Sequence, residues 1–411
     1  MNYELFIAKR IIAGKKYKNS ISSPIIKIAI TAIALGIIIM LIAVATGAGL
    51  QYKIRDKMAG FKGHIQIVNY DANNSDVSTT AIKKEQDFYP TFKHVKGIKN
   101  VQIFANKAGI LRTKTDFEGI IFKGVSTDYD WSFFTEYMVE GRVPDFNQPR
   151  TREVLLSQTI INRLQLKLND TIISTFIKTV NSKLPSNKKY IITGIYNTGF
   201  LQFDKSMMIG DIREVQNLNK WTENEVGGFE VLLNDFDEID EKGEEVYNNI
   251  SATLNSKTIV DAYPNVFDWI QLFDNNVWFI IAIMILIAGI NMITALLVLI
   301  LERVQMIGVL KALGSNNTSI RKIFLYNATY LILKGLFWGN IIGLTIIGIQ
   351  HFFKIITLNP ETYYVATMPV YISFTAILLL NIGTLILCFL MLIIPSFIIT
   401  KISPSKSIKF A

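Results

Sequence analysis

Hydrophobic and polar positions are segregated along this chain. Residues 28–50, 275–301, 335–353 and 362–400 contain no Asp, Glu, Lys or Arg, and a helix needs about 20 such residues to cross a bilayer core of ~30 Å. The pattern predicts four membrane-spanning helices, over 25–50, 275–301, 326–350 and 372–399. The last charge-free run exceeds one span, so Thr362 to Val370, with Pro369, is expected to be loop.

Residues 51–272 are polar, turn-rich and long enough for two compact units. Their two ends suggest halves of one unit. His64–Tyr70 and Val101–Leu111 alternate as strands, and Phe88, Phe92 and Val95 (i, i+4, i+7) mark a helix between them. Later, Phe229–Leu233 and Thr258–Ala262 read as strands around a helix whose face carries Ile239, Val246, Ile250 and Leu254. The expected fold is an α-helical membrane protein with four transmembrane helices plus a large α+β extracytoplasmic domain. That domain would hold a split ferredoxin-like lobe (51–114 and 226–272) with an inserted β-rich lobe (115–225) containing strands near Glu153–Leu156, Asp170–Phe176 and Tyr190–Ile195.

Charge supplies orientation. Lys9, Arg10, Lys15, Lys16 and Lys18 against Glu4 precede the first span, which places the N-terminus in the cytoplasm. Alternation then puts 51–272 outside, 302–322 (Arg303, Lys311, Arg321, Lys322) inside, 354–370 outside, and the tail 400–411 inside. Residues 1–24, with Phe6 and Arg10, read as an amphipathic helix along the cytoplasmic interface. The alternative for the first span is a cleaved signal peptide, because Ala43-Val44-Ala45 has the pattern of a cleavage site. The length of the apolar stretch and of what precedes it argues against that.

Composition narrows the function. Lys+Arg 42 against Asp+Glu 33 gives a net charge of +9, and 50% of residues are hydrophobic with a mean hydropathy of +0.32. A purely soluble enzyme is excluded. The basic residues near the membrane sit in short flanks, so lipid and topology account for them before nucleic acid does. A lone Cys388 excludes a disulfide framework, a Cys-based zinc site and a lipid-modified N-terminal cysteine.

The external residues show no catalytic constellation. His64 and His94 lack a carboxylate or second histidine at ligand spacing, and Ser157 and Ser206 lack a G-x-S-x-G elbow. No metal or catalytic residue is expected. The acidic residues of 235–245 read as a solvated helix face. In the third span Gly335, Gly339 and Gly343 recur every four residues, a stripe that lets another helix approach closely. Lys334 is expected to snorkel to the interface, and Asn291, Asn340 and Asn381 could hydrogen-bond between helices. Carboxylates are absent from all four spans, against a proton-coupled transporter.

The loop Glu302 to Lys322 is the most informative. Met306, Val309, Leu310 and Leu313 form an apolar stripe and Gly314 ends the short helix. Such a helix could lie in the interface or fit a groove in a soluble partner. No G-x-x-x-x-G-K-[ST] phosphate loop occurs, so any ATP and its Mg would be held by a separate subunit and no cofactor by this chain.

The order of parts, together with Glu302-Arg303-Val304-Gln305-Met306-Ile307-Gly308-Val309-Leu310-Lys311-Ala312-Leu313-Gly314, resembles the permeases of the MacB/FtsX/Lol class of ABC transporters over essentially the whole chain. In that class the stretch is the coupling helix that docks on an ATPase. Within the class, Phe6-Ile7-Ala8-Lys9-Arg10 with Gly14, Gly63-His64-Ile65, Glu140-Gly141-Arg142-Val143-Pro144, Glu153-Val154-Leu155-Leu156-Ser157 and Ile192-Thr193-Gly194-Ile195-Tyr196 look most like the lipoprotein-releasing (Lol) permeases. MacB-type pumps usually carry a fused ATPase domain and FtsX-type proteins a smaller external domain, so both fit less well. One departure is the short stretch Val180 to Lys189, with Pro185, where Lol permeases that hand cargo to a chaperone carry a projecting loop. A shorter loop, a partner permease, or no chaperone at all would each account for it.

The resemblance implies a multi-pass protein of the bacterial inner membrane with a periplasmic domain, working as two permeases (the same or a related chain) with two cytoplasmic ABC ATPase subunits. Lipoproteins would be extracted toward the outer membrane, with membrane lipid, and a periplasmic chaperone if one is used, as further partners. Glu302, Arg303, Met306, Ile307, Val309, Leu310, Lys311, Leu313 and Gly314 would couple to the ATPase. Leu41, Val44, Trp278, Phe279 and Ile283 would line the path of the acyl anchor between the first and second spans. The alternatives are a mechanotransmission efflux pump and a signalling scaffold controlling a cell-wall hydrolase.

Overall fold

The computed structural model describes residues 3–13, 23–72, 75–147, 151–176 and 185–403. From the N-terminus, α1 (Tyr3–Ala13) precedes a 40-residue helix, α2 (Ser23–Lys62). Then come β1 (Ile65–Asn69), β2 (Ile82–Lys83), β3 (Ile98–Arg112), β4 (Phe117–Val125), α3 (Ser132–Glu136) and β5 (Met138–Gly141). They are followed by β6 (Glu153–Ser157), α4 (Gln158–Leu164), β7 (Thr171–Phe176), β8 (Ser186–Tyr196), α5 (Leu201–Asp204), β9 (Met207–Asp211) and α6 (Ile212–Asn219). Next are β10 (Glu225–Val226), β11 (Gly228–Leu233), α7 (Ile239–Asn248), β12 (Leu254–Thr258) and α8 (Ile259–Ala262). The remainder is helical: α9 (Pro264–Glu302), α10 (Val304–Ala312), α11 (Asn317–Phe353), α12 (Pro360–Tyr363), α13 (Phe374–Ser396) and α14 (Ile398–Lys401).

The chain divides into two compact units. One comprises Met1–Leu50, Trp269–Ile356 and Met368–Ala411, the other Gln51–Asp268 and Thr357–Thr367. Among the described residues four helices are long and apolar enough to cross a membrane: Pro24–Lys62, Pro264–Glu302, Asn317–Phe353 and Phe374–Lys401. Each begins or ends beyond the expected span. α2 continues twelve residues past Leu50, because Gln51 to Lys62 keeps helix-forming residues with Ile54, Met58 and Phe61 buried on one side.

The polar unit is built on a ten-stranded sheet of order β12-β1-β11-β3-β4-β9-β6-β8-β5, with β7 bridging β3 and β8. Strand β3, 15 residues long, serves two neighbourhoods. Its first half pairs antiparallel with β11, and its second half with β7. The strands β3, β4, β9, β6, β8 and β7 pair successively back to β3 and so close a ring. Phe122, Phe176 and Tyr190 fill it, with ring centroids 5.4–6.3 Å apart. Closure pairs the backbone edges that an inserted open sheet would leave exposed.

Two expected elements differ. Phe88, Phe92 and Val95 are buried, but the chain there is a series of turns. Pro90 lacks the N–H a helix requires, so the periodicity reports burial against Phe229 and not helical hydrogen bonding. The last strand is Leu254–Thr258 and not Thr258–Ala262. The Thr258 hydroxyl accepts the Asp261 N–H at 3.1 Å, which caps a helical turn over 259–262 and stops the strand.

Candidate functional site

The loop between α9 and α11 folds as α10, and its end is set by sequence. Gly314 adopts φ +89°, where its N–H bonds to Lys311 O (3.0 Å) and the N–H of Ser315 to Leu310 O (3.0 Å). That is a Schellman closure, which a side-chain-bearing residue at 314 would strain. Asn316 then caps α11 by accepting the Ser319 N–H at 2.7 Å.

The predicted apolar stripe does not lie on one surface. Ile307 is fully buried, and Met306 and Leu310 pack against the apolar core shared by the long helices. Val309 and Leu313 are 49% and 78% exposed. Glu302 is exposed at the end of α9, and Gly314 is exposed just past α10, while Arg303 is half-buried. Lys311 turns inward: its Nζ donates to Ile399 O at 2.8 Å and Ile402 O at 2.7 Å. Of the nine residues expected to couple, Val309 and Leu313 therefore present an outer apolar surface, and Ile307 and Lys311 face inward beneath it.

The glycine stripe of α11 lies on α2. A Cβ at Gly335 would meet Ile33 at 2.7 Å, at Gly339 the Ala34 carbonyl at 2.9 Å, and at Gly343 Leu41 at 2.9 Å. Leu41, expected along the anchor's path, is fully buried in that helix contact. Val44 is half-buried. Trp278, Phe279 and Ile283 on α9 are 51–71% exposed. Asn340 and Asn381 exchange amide hydrogen bonds of 2.7 and 3.0 Å between α11 and α13. Asn291 bonds only to the Ile287 carbonyl of its own helix among the contacts described, and Lys334 is exposed beside the Tyr330 ring.

In the polar unit, the end of α2 is gripped by groups that sequence reading missed. Phe61 is surrounded by Phe133, Phe134 and Phe203, at centroid distances of 5.5, 5.4 and 4.7 Å. Lys123 and Glu230 are both buried, with Nζ 2.7 and 2.8 Å from the carboxylate oxygens and 2.6 Å from Phe61 O. Burial pushes the Lys123 pKa down while Glu230 holds it up. Lys62 is buried and pairs with Asp76 at 2.6 Å. The only signal in the sequence was a charged residue in the middle of an apolar strand, at Lys123 and at Glu230. Segment 357–367 also packs here: Tyr364 O accepts from Lys57 Nζ at 3.1 Å, and its ring lies 5.1 Å from Phe200.

The remaining polar candidates have structural roles. His64 Nδ1 accepts the Leu233 N–H at 3.0 Å, and burial lowers its pKa to about 4. His94 is exposed. Ser157 caps α4 and donates to Asp204 O, and Ser206 bonds to Gln202 O within its own turn. Burial raises the Asp204 pKa to about 6, opposed by bonds from Thr198 and Gly199. Among the described residues no three His, Cys, Asp or Glu gather as a metal set.

Two family models match. Residues 28–248 fit the MacB-like periplasmic core domain and residues 278–404 the FtsX-like permease C-terminal domain. The chain belongs to the MacB/FtsX class of permeases. This permease is 21% identical over 431 residues to the lipoprotein-releasing system transmembrane protein LolC of Neisseria meningitidis serogroup B, covering 99% of each chain. It is 18% identical to LolC of Xylella fastidiosa, with 96% of each chain covered, and 20% identical to LolE of Haemophilus influenzae, with 99% of each. Among solved structures it is similar to the extracellular domain of the noncanonic ABC-type transporter YknZ from Gram-positive bacteria. That match has 15% identity and a TM-score of 0.31, covering 47% of this chain and 99% of that one. The periplasmic region of MacB from Actinobacillus actinomycetemcomitans gives 13% identity and a TM-score of 0.34, covering 50% and 92%. The permease is thus an inner-membrane protein with four apolar helices and a strand-rich periplasmic domain.

Proposed function

We propose that this permease is the membrane subunit of an ATP-driven transporter that extracts lipoproteins from the inner membrane toward the outer membrane, driven by a separate cytoplasmic ABC ATPase. The observation that carries this reading is the outer side of α10, where Val309 and the C-cap residue Leu313 stand exposed next to a helix end fixed by the Gly314 closure. A leucine 78% exposed in a short loop between two spans fits a groove on a soluble subunit. Relatives named for lipoprotein release, aligned over nearly the whole chain, support the cargo class.

The N- and C-termini and α10 lie in the cytoplasm in this reading, in keeping with the basic residues beside them. Pulling a multiply acylated anchor into water costs tens of kcal/mol at about 0.8 kcal/mol per CH₂, so the cargo needs an apolar route. Trp278, Phe279 and Ile283 on α9, with Val44 on α2, would offer it alongside a second permease, the same or a related chain. ATP and Mg belong to the ATPase subunit, and this chain supplies no catalytic group. The residues α2 contributes to both units would carry the stroke to the periplasmic domain, whose grip on Phe61 and Lys62 resists slippage. The strand order β12-β1-β11-β3, all antiparallel, supports the split ferredoxin-like reading of that lobe. Of the stretch 180–189 considered for chaperone recruitment, residues 180–184 lie outside the described residues and Ser186 onward belongs to β8.

The test is ATP-dependent release of a triacylated lipoprotein from proteoliposomes holding the permease with its ATPase. Leu313→Asp places a charge in the proposed groove and should abolish both ATPase co-purification and release. Release that survives undiminished refutes the docking face.

A further inference from the structure

The inward side of α10 makes a connection that docking does not explain. Pro395 inside α13 has no N–H to continue the helical ladder, and the fourth span breaks at Phe397 into the short α14. In the last turn of α14 the Ile399 carbonyl accepts the Ile402 N–H at only 3.4 Å, and Ile402 itself is extended. Lys311 supplies the donor: Nζ lies 2.8 Å from Ile399 O, 2.7 Å from Ile402 O and 3.5 Å from Thr400 O. A second tie runs beside it. Arg321, in the second turn of α11, donates from Nε to the buried Ser396 Oγ at 3.1 Å, and its guanidinium stacks 3.7 Å from the Phe397 ring centroid.

We infer that Lys311 is a positioning residue that fastens α10 to the C-terminal end of the fourth span, so that movement of α10 is passed to α13 as well as to its neighbours α9 and α11. This rests on the docking reading above and assigns to the same short helix a second, separable task. A cation at a helix C-terminus with several carbonyl acceptors is a strong, directional contact, and arginine can replace lysine there as a donor. The outer residues Val309 and Leu313 receive the stroke, and Lys311 hands it on.

The experiment compares Lys311→Met, Lys311→Arg and Leu313→Asp in the full permease, reconstituted with its ATPase and any co-purifying second permease. Three readouts are taken: ATPase co-purification, ATP hydrolysis, and molecules of a fluorescent triacylated lipoprotein released per ATP. Lys311→Met is expected to keep association and hydrolysis while release per ATP falls about tenfold, the scale of lost charge-assisted hydrogen bonds. Lys311→Arg should recover most of it. A simple loss of stability would lower yield without changing the ratio in the assembled complex. Release per ATP at the wild-type level in Lys311→Met overturns the inference, as does loss of association matching that of Leu313→Asp, since Lys311 would then be a docking residue. If Leu313→Asp keeps its ATPase while Lys311→Met is uncoupled, the docking face fails and the staple stands. Should Lys311→Met not accumulate, Arg321→Gln removes the second tie alone. It should lower the ratio about twofold to threefold, and an unchanged ratio overturns the inference.

Discussion

The membrane unit and the periplasmic unit each hold their own parts together, by opposite means. Between α2 and α11 the contact is made of glycine, alanine, isoleucine and leucine, and an amide pair, Asn340 with Asn381, joins α11 to α13. The periplasmic unit instead buries an ion pair, Lys123 with Glu230, beside the tilted and edge-on aromatic rings around Phe61. In lipid, apolar contact carries no hydrophobic driving force, so small-residue packing leaves helices able to shift against each other. A buried ion pair with every oxygen bonded has only one good geometry. The difference suits a machine in which helices move and the periplasmic body is carried as a whole.

The sharpest way to break that comparison is at Glu230. Glu230→Leu strands a buried lysine and should cost about 3–5 kcal/mol, whereas Lys123→Met with Glu230→Leu should cost far less. Hydrogen exchange across β11 in the full chain reads the difference. If the double variant is as unstable as the single, the pair does not hold the unit as described.

Titration sharpens the same contrast, with two desolvated groups of opposite sign, half-buried His64 and buried Asp204. His64 has a folded pKa of about 4, below its unfolded 6.5, so the unfolded state binds the extra proton and His64 makes the unit lose stability as pH falls from 6.5 to 4. Asp204, raised to about 6 from 3.8, binds its proton more readily when folded and makes the unit gain stability as pH falls from 6 to 4. The two should largely cancel. Relative to wild type, Asp204→Asn should steepen the acid-side loss measured by exchange in β1 and β11, and His64→Gln should reverse it, by about 2 kcal/mol over the window. Parallel pH profiles in all three proteins would contradict this.

In the membrane unit, Gly339→Leu drives a side chain into the Ala34 carbonyl and should destabilise by about 1–3 kcal/mol, seen as a lower thermal aggregation temperature in detergent. The smallest effect is expected for Asn340→Leu with Asn381→Leu, about 1 kcal/mol by the same measurement. Larger losses there would mean that polar contacts, and not close packing, hold the spans.

The sequence patterns that transferred were those whose cause is local. Charge-free runs gave the four long helices, because a bilayer-length apolar helix is a property of the segment alone. Gly314 gave the end of α10 because only its backbone conformation closes that turn cheaply. What was not legible depended on partners far away in the chain. Phe88, Phe92 and Val95 had helical spacing for a non-helical reason, and the ring closed through β7 required a pairing with β3 that no periodicity encodes. The family resemblance groups Lys311 with the residues expected to couple to an ATPase, and its turn toward residues 399–402 appears only in three dimensions.

The most direct test of the docking face is photo-crosslinking in the assembled transporter. A photoreactive residue is placed singly at positions 307, 309 and 313. Crosslinks to the ATPase subunit should form from 309 and 313 and not from 307. A crosslink from 307 in place of 309 and 313, or none to any nucleotide-hydrolysing subunit, would contradict the account.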